Sequence, residues 1–267
     1  MDFRKKLDKS IPLKEEVTLM WMGQAGFMVK NSQGRVMAID LYLSNLVERL
    51  DGNKRLTPAL IDAEEVKADV ILASHCHADH LDLDSLPNML SQNAQLYCCE
   101  ESYELCKEAD LPMHKITSMT IGDKQECCGF QIEAPKAIGY LIETDGISIY
   151  YTGDTAYQGD RMSYVTKKDI DILILPINGE YGNMNERDAA MLAAQTKAKI
   201  TIPCHFWTFA RHQGSPHDFQ MEMNYVAPDL YSYIMAQGEC IIYSKCGYVY
   251  WTFGRMWFFK WWFIRFK

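Results

Sequence analysis

The densest chemistry in the chain lies in seven consecutive residues, Ser74-His75-Cys76-His77-Ala78-Asp79-His80. His75, His77, Asp79 and His80 crowd potential ligands together, and imidazole with carboxylate suits Zn²⁺, Mn²⁺ or an iron ion. His75 and His77 stand two apart, so in an extended segment they point the same way. Asp79 and His80 follow where the chain begins to turn, which lets them address a second ion beside the first. Three of the seven histidines fall in this stretch, which a loop of merely hydrogen-bonded histidines does not explain.

Two later residues extend the pattern. Asp154, in Tyr151-Thr152-Gly153-Asp154-Thr155, follows a strand-like run. A carboxylate there can bridge two cations and offset their repulsion, although Gly-Asp-Thr also suits a capping turn. His205 follows Thr201-Ile202-Pro203-Cys204 and repeats the arrangement of a lone ligand at a strand's end. Cys76 and Cys204 neighbour these ligands, but Cys76 points away from its flanking histidines along an extended segment. Packing is the expected role of both thiols, since no separate base and orienting group accompanies them.

Strands are expected over residues 17–21, 27–30, 35–39, 68–73, 130–134, 139–143, 147–151, 171–176 and 199–203, with a turn at 31–34. Asp40 falls at the end of the third. Asn185 caps a helix running through AAMLAAQTKA. Residues 50–67 read as polar and irregular, with Thr57-Pro58 as a helix entrance. The first half is rich in hairpins and the second has βα character, so two sheets flanked by helices are expected, with polar clusters at strand ends.

At 267 residues and 48% hydrophobic composition, the chain can bury a sizeable core. Its net charge of −8 argues against a general nucleic-acid binder. Nine cysteines, an odd number with two adjacent pairs, indicate a reducing compartment. The basic start lacks an apolar signal region, no long uncharged apolar run spans a bilayer, and a cytoplasmic location is expected. Residues 1–248 form one expected domain. Residues 249–267 form an extension that holds four of the six tryptophans, with Arg255, Lys260, Arg265 and Lys267 and no acid. It reads as an exposed tail, as packing against the body or a neighbouring subunit, or, least favoured, as an interfacial membrane contact.

HCHADH at 75–80 carries the H-x-H-x-D-H signature, by which the chain resembles the metallo-β-lactamase superfamily. Within it the chain is similar to the L-ascorbate-6-phosphate lactonase group of metal-dependent hydrolases. WMGQAGFMV (21–29), AIDLYLSN (38–45), YYTGDTAY (150–157), LPINGEYGNMN (175–185) and PCHFWTF (203–209) carry that likeness. The resemblance implies an α+β fold, an αββα sandwich of two mixed sheets with metals at one edge. It implies His75 and His77 on a first ion, Asp79, His80 and His205 on a second, Asp154 between them, and Asp40 orienting the cluster. It further implies a phosphorylated sugar-acid lactone as substrate, Mn²⁺ or Zn²⁺ as cofactor, and a homo-oligomer.

One departure stands out. The family places another histidine on the loop after the strand matching FQIEA, yet here Ala134 is followed by Pro135-Lys136-Ala137-Ile138-Gly139-Tyr140. His114 comes too early to replace it, and His212 and His217 follow His205 as pocket-lining candidates. The expected chemistry is hydrolysis by metal-activated water, with Asp79 and His80 as the catalytic pair and Asp79 passing a proton towards the leaving group. Arg211 and His212, with Lys136 as a weaker choice, are expected anion contacts. Asn178 and Asn183 bond a sugar hydroxyl or their own loop, and Trp207 and Phe209 form an apolar wall or pack in the core. The alternatives are a catalytically impaired metal-binding or scaffold relative, and a phosphoesterase or nuclease of the same superfamily.

Overall fold

The computed structural model describes residues 3–91, 93–134, 139–246 and 248–251. Its strands are β1 (Glu16–Gly23), β2 (Gly26–Lys30), β3 (Val36–Ile39), β4 (Val70–Ala73), β5 (Gln95–Cys98), β6 (Ile116–Ser118), β7 (Lys124–Cys127), β8 (Phe130–Glu133), β9 (Tyr140–Thr144), β10 (Ile147–Tyr151), β11 (Ile172–Pro176), β12 (Ile200–Cys204), β13 (Tyr231–Ser232), β14 (Cys240–Ser244) and β15 (Tyr248–Trp251). The α-helices are α1 (Phe3–Lys9), α2 (Leu46–Asp51), α3 (Leu86–Leu90), α4 (Glu100–Glu108), α5 (Ser163–Thr166), α6 (Glu186–Thr196) and α7 (Pro216–Val226).

The strands form two mixed sheets. One runs β15-β14-β1-β2-β3-β4-β5-β6 and the other β13-β12-β11-β10-β9-β8-β7. In the first, pairing changes from antiparallel to parallel at β3–β4; in the second, β10 is parallel to β11 and antiparallel to β9. Period-2 alternation explains how the sheets stack. Val17, Leu19 and Trp21 of β1 join a core shared with Ile142, Ile149, Ile174 and Ile202 of the opposite sheet. Met20 and Met22, one residue out of phase, join a second cluster with Leu7, Leu86, Leu90 and Cys106 on the helical side.

Local signals explain several boundaries. The 31–34 turn closes with the Asn31 N–H donating to the Arg35 carbonyl (3.0 Å) and Gly34 at φ 78°. The Asn185 side chain accepts from the Asp188 N–H (2.9 Å) and caps α6, as its sequence predicts. Thr57-Pro58 starts no helix, contrary to expectation. Arg55 instead bridges to Phe209 and the Leu56 N–H donates to the Thr208 carbonyl (2.8 Å), which tie this bent stretch to the His205 loop, while α2 lies earlier and ends on left-handed Gly52. Strand β15 pairs with β14 and carries the sheet beyond residue 248, so 249–251 belong to it rather than to an extension. The rest of the aromatic and basic extension lies outside the described residues. No helix among the described residues is long and apolar enough to cross a membrane.

This topology positions the chemistry. Parallel strands β3, β4, β10 and β12 end at Asp40, Ser74-His75, Thr152-Gly153-Asp154 and His205, respectively. The carboxyl ends of parallel strands are where open α/β sheets place ligands.

Candidate metal centre

The Asp40 carboxylate holds the centre together from beneath. It is fully buried and accepts from the Ser74 N–H (2.7 Å), the Ser74 hydroxyl (2.5 Å), His80 Nδ1 (2.6 Å) and the Tyr151 hydroxyl (2.6 Å). A carboxylate at neutral pH only accepts, so His80 carries its proton on Nδ1 and leaves Nε2 for a ligand. Ser74 spends its hydroxyl proton on Asp40. Its oxygen therefore receives His75 Nδ1–H (3.0 Å), which frees His75 Nε2 in turn. The turn that brings His80 round is closed by its N–H donating to the His77 carbonyl (2.9 Å). Buried Asp82 anchors the neighbouring loop by accepting from the Leu43 and Ser44 N–H groups, each at 2.9 Å.

The freed nitrogens converge. His75, His77 and Asp154 offer ligand atoms within 4.8 Å of one another, and Asp79, His80 and His205 form a second such group. His75 Nε2 lies 2.9 Å from His77 Nδ1, and His80 Nε2 lies 3.3 Å from His205 Nε2. Asp154 stands between the groups. Its Oδ1 is 3.2 Å from His80 Nε2 and 3.1 Å from His205 Nε2, while Oδ2 is 3.9 Å from His75 Nε2. That Oδ1 is buried yet has no well-directed hydrogen bond. A buried carboxylate oxygen so placed, among imidazole nitrogens that face one another, fits divalent ions in both groups.

The charges fit the same picture. Burial lowers the pKa of His75, as does nearby His80, to about 4, so its imidazole is neutral at pH 7. His205 behaves differently: burial opposes its charge, but Asp154 and Asp79 outweigh burial and raise it to about 9. His80 is raised for the same reason, burial being overcome by Asp154, Asp79 and Asp40. Asp154 goes the other way, its burial overcome by His205 and His80, which hold it well below the usual carboxylate range.

The structure brings His75, His77, Asp79, His80, Asp154, His205 and Asp40 to one place, the edge between the sheets. Of the expected substrate contacts, His212 joins them, its ring stacked on His205 with centroids 4.7 Å apart. Asn178 and Asn183 are buried on the loop after β11, whose far end is tied in by the Met184 N–H donating to the Thr155 carbonyl (3.0 Å). Arg211 is exposed on the His205 loop. Of the two wall candidates, Phe209 is buried against Tyr42 and His212, and Trp207 is 59% exposed. Cys76 turns to Glu101 (3.5 Å) and Cys204 is buried in the core, so neither thiol enters the site. The 135–138 connection, including Lys136 and the position of the absent family histidine, lies outside the described residues.

Sequence reasoning missed Gln24, Ser74 and Tyr151. Gln24 Nε2 lies 2.7 Å from Asp79 Oδ2, and the Gln24 carbonyl accepts the His205 N–H (2.9 Å). Its signal was the Gly23-Gln24-Ala25-Gly26 turn, in which Gln24 itself adopts a left-handed φ of 50°. Tyr151 could have been found from its parity with the inward-facing Ile149 on β10.

Comparison with known proteins agrees with this fold. A profile of the beta-lactamase superfamily domain matches residues 18–205, and the chain belongs to that superfamily. A UPF0173 metal-dependent hydrolase of Archaeoglobus fulgidus is 27% identical over 243 residues, covering 85% of this chain and 99% of the relative. One from Pelotomaculum thermopropionicum is 29% identical over 219 residues, covering 75% of this chain and 89% of the relative. Among solved structures, Igni18, a metallo hydrolase of Ignicoccus hospitalis, superimposes with a TM-score of 0.68 at 22% identity, covering 86% of this chain and 99% of that one. The metallo-beta-lactamase fold protein YhfI of Bacillus subtilis gives 0.66 at 19%, covering 86% of this chain and all of that one. The chain therefore has the metallo-β-lactamase fold.

Two outcomes follow. Asp40→Ala strands the donors of Ser74, His80 and Tyr151, and chelator competition should show metal affinity falling about 10- to 100-fold; a change under threefold would deny Asp40 this role. Second, the value of about 9 at His205, with His80 shifted upward as well, means that this pair holds extra protons in the metal-free protein at pH 7. Metal uptake at pH 7 should therefore expel protons, and fewer above pH 9, with affinity rising as pH rises between them. Calorimetry in buffers of different ionisation enthalpy reads this directly, and a buffer-independent heat at pH 7 would contradict it.

Proposed function

We propose that the protein is a metal-dependent hydrolase that cleaves a small lactone or ester, using the ligand groups on either side of Asp154. The observation that carries this reading is the division of one largely enclosed carboxylate between two sets of ligand atoms, its buried Oδ1 towards His80 and His205 and Oδ2 towards His75. The relatives' description as metal-dependent hydrolases supports it. Divalent ions held by these residues would lower the pKa of water and polarise the substrate's carbonyl or phosphoryl oxygen.

The chain's own groups supply the rest. Asp79 is held through Oδ2 by Gln24, leaving Oδ1 to take a proton from water and pass it to the leaving group. His80, fixed at Nδ1 by Asp40, keeps its ligand nitrogen aimed between Asp79 and Asp154. The reading extends to an anionic substrate such as a phosphorylated sugar-acid lactone, met by Arg211 and His212 with Asn178 and Asn183 beside them. It takes Mn²⁺ or Zn²⁺ as the ion and a cytoplasmic homo-oligomer as the working form. A catalytically impaired metal-binding relative is the second reading, favoured by a first group that, among the described residues, holds two histidines and a shared acid.

The test is a turnover screen of the metal-loaded protein on lactones, carboxylic esters and phosphoesters. Lactone or ester hydrolysis that vanishes on chelation is expected, and Asp79→Asn should lower kcat by about 10²- to 10⁴-fold. Full metal loading with no turnover of any class would favour the impaired relative.

A further inference from the structure

Gln24 does more than touch Asp79. The atom 2.7 Å from Asp79 Oδ2 must be its amide nitrogen, because a carboxylate oxygen offers no proton. The same nitrogen lies 3.0 Å from His212 Nδ1, whereas the amide oxygen is 3.5 Å away. One amide hydrogen therefore serves Asp79, and the other addresses Nδ1 of His212. Nδ1 must then carry the lone pair, so the neutral ring has its proton on Nε2. His205 Nε2, 3.1 Å from the same amide, belongs to the candidate ligand group and does not compete for that hydrogen when it binds an ion.

The imidazole of His212 is held by three neighbouring rings and by the Gln24 amide at Nδ1. It stacks on His205 at 4.7 Å and takes the edge of Phe209 at 5.1 Å and of Tyr181 at 5.6 Å. Its loop is closed by the Trp207 N–H donating to the His212 carbonyl (2.8 Å) and the His212 N–H donating to that of Phe209 (3.0 Å). Gln24 is fixed with equal care. Its N–H bonds with the Thr208 hydroxyl (3.0 Å), and its carbonyl also accepts Trp21 Nε1–H (3.0 Å). A buried histidine held in one tautomer, with its remaining donor unused among the described residues, is what a preorganised site for developing negative charge requires.

We propose that His212 is a further catalytic residue, presenting Nε2–H to the substrate oxygen on which charge develops, and that Gln24 is the residue that positions it. This deepens the hydrolase reading and rests on it. Nothing covalent changes at His212: it donates a hydrogen bond that strengthens in the transition state and keeps its proton.

The test uses zinc-loaded protein with ¹⁵N-labelled histidine and δ-valerolactone as the probe substrate. Long-range ¹H–¹⁵N spectra should show His212 as the Nε2–H tautomer, and Gln24→Met should replace that single species with a mixture. His212→Phe, which retains a ring to stack on His205, should lower kcat about 100-fold, with KM within threefold and metal content unchanged. An Nδ1–H tautomer in the parent, or a His212→Phe kcat within threefold of it, would overturn the proposal. A fully loaded parent that hydrolyses nothing would instead refute the hydrolase reading, and the tautomer spectra alone would then decide whether Gln24 sets His212.

Discussion

The buried carboxylate of Asp40 is the interaction on which the rest of the centre depends. It closes the end of β3, receives the first residue after β4, fixes His80 of the ligand stretch, and takes the hydroxyl of Tyr151 from β10 in the opposite sheet. Burial raises the pKa of the Tyr151 hydroxyl, with Asp40 adding to it, so that hydroxyl remains a donor. One side chain thereby joins the two sheets and dictates which nitrogen of His80, and through Ser74 which nitrogen of His75, is left to bind an ion. Such a group is tolerable in a core only when every lone pair it needs to satisfy is met, as here.

Backbone strain gathers at the same edge. Asp40, Gln24, His205 and Trp207 all adopt left-handed φ values, at 46°, 50°, 62° and 61°. None is glycine, and such conformations persist only where surrounding contacts over-determine them. The contacts are visible. Gln24 and His205 are joined through their backbones, the N–H of Asp40 bonds to the Leu72 carbonyl, and that of Trp207 to His212. At Asp40, Gln24 and His205 the strained backbone goes with side chains that meet in the cluster, whereas the Trp207 side chain is exposed.

Much of this was legible in the sequence because it is local. The apolar run ahead of Ser74 announces a strand and Asn185 announces a helix cap; His75 and His77 do meet, although through bends at residues 75–77 rather than the extended backbone their spacing suggested. What escaped was the product of long-range packing. Gln24 meets His205 and His212 across most of the chain, and nothing in a short window pairs Tyr151 with Asp40. Thr57-Pro58 misled for a related reason, since a helix-start signature was overridden by the bridge from Arg55 to Phe209. The ligand groups themselves were readable only because most of their members are neighbours in sequence; Asp154 and His205 owe their place to the parallel register of β10, β11 and β12.

Binding of divalent ions by two groups of side chains that share Asp154 underlies the whole of the proposed chemistry. Elemental mass spectrometry of protein purified without chelator or histidine tag, on the parent and on His75→Ala and His205→Ala variants, tests it most directly. The expected result is up to two ions per chain, with a loss of ion in each variant confined to its own group. No metal in the parent after gentle purification and reloading, or metal that neither substitution disturbs, would contradict it.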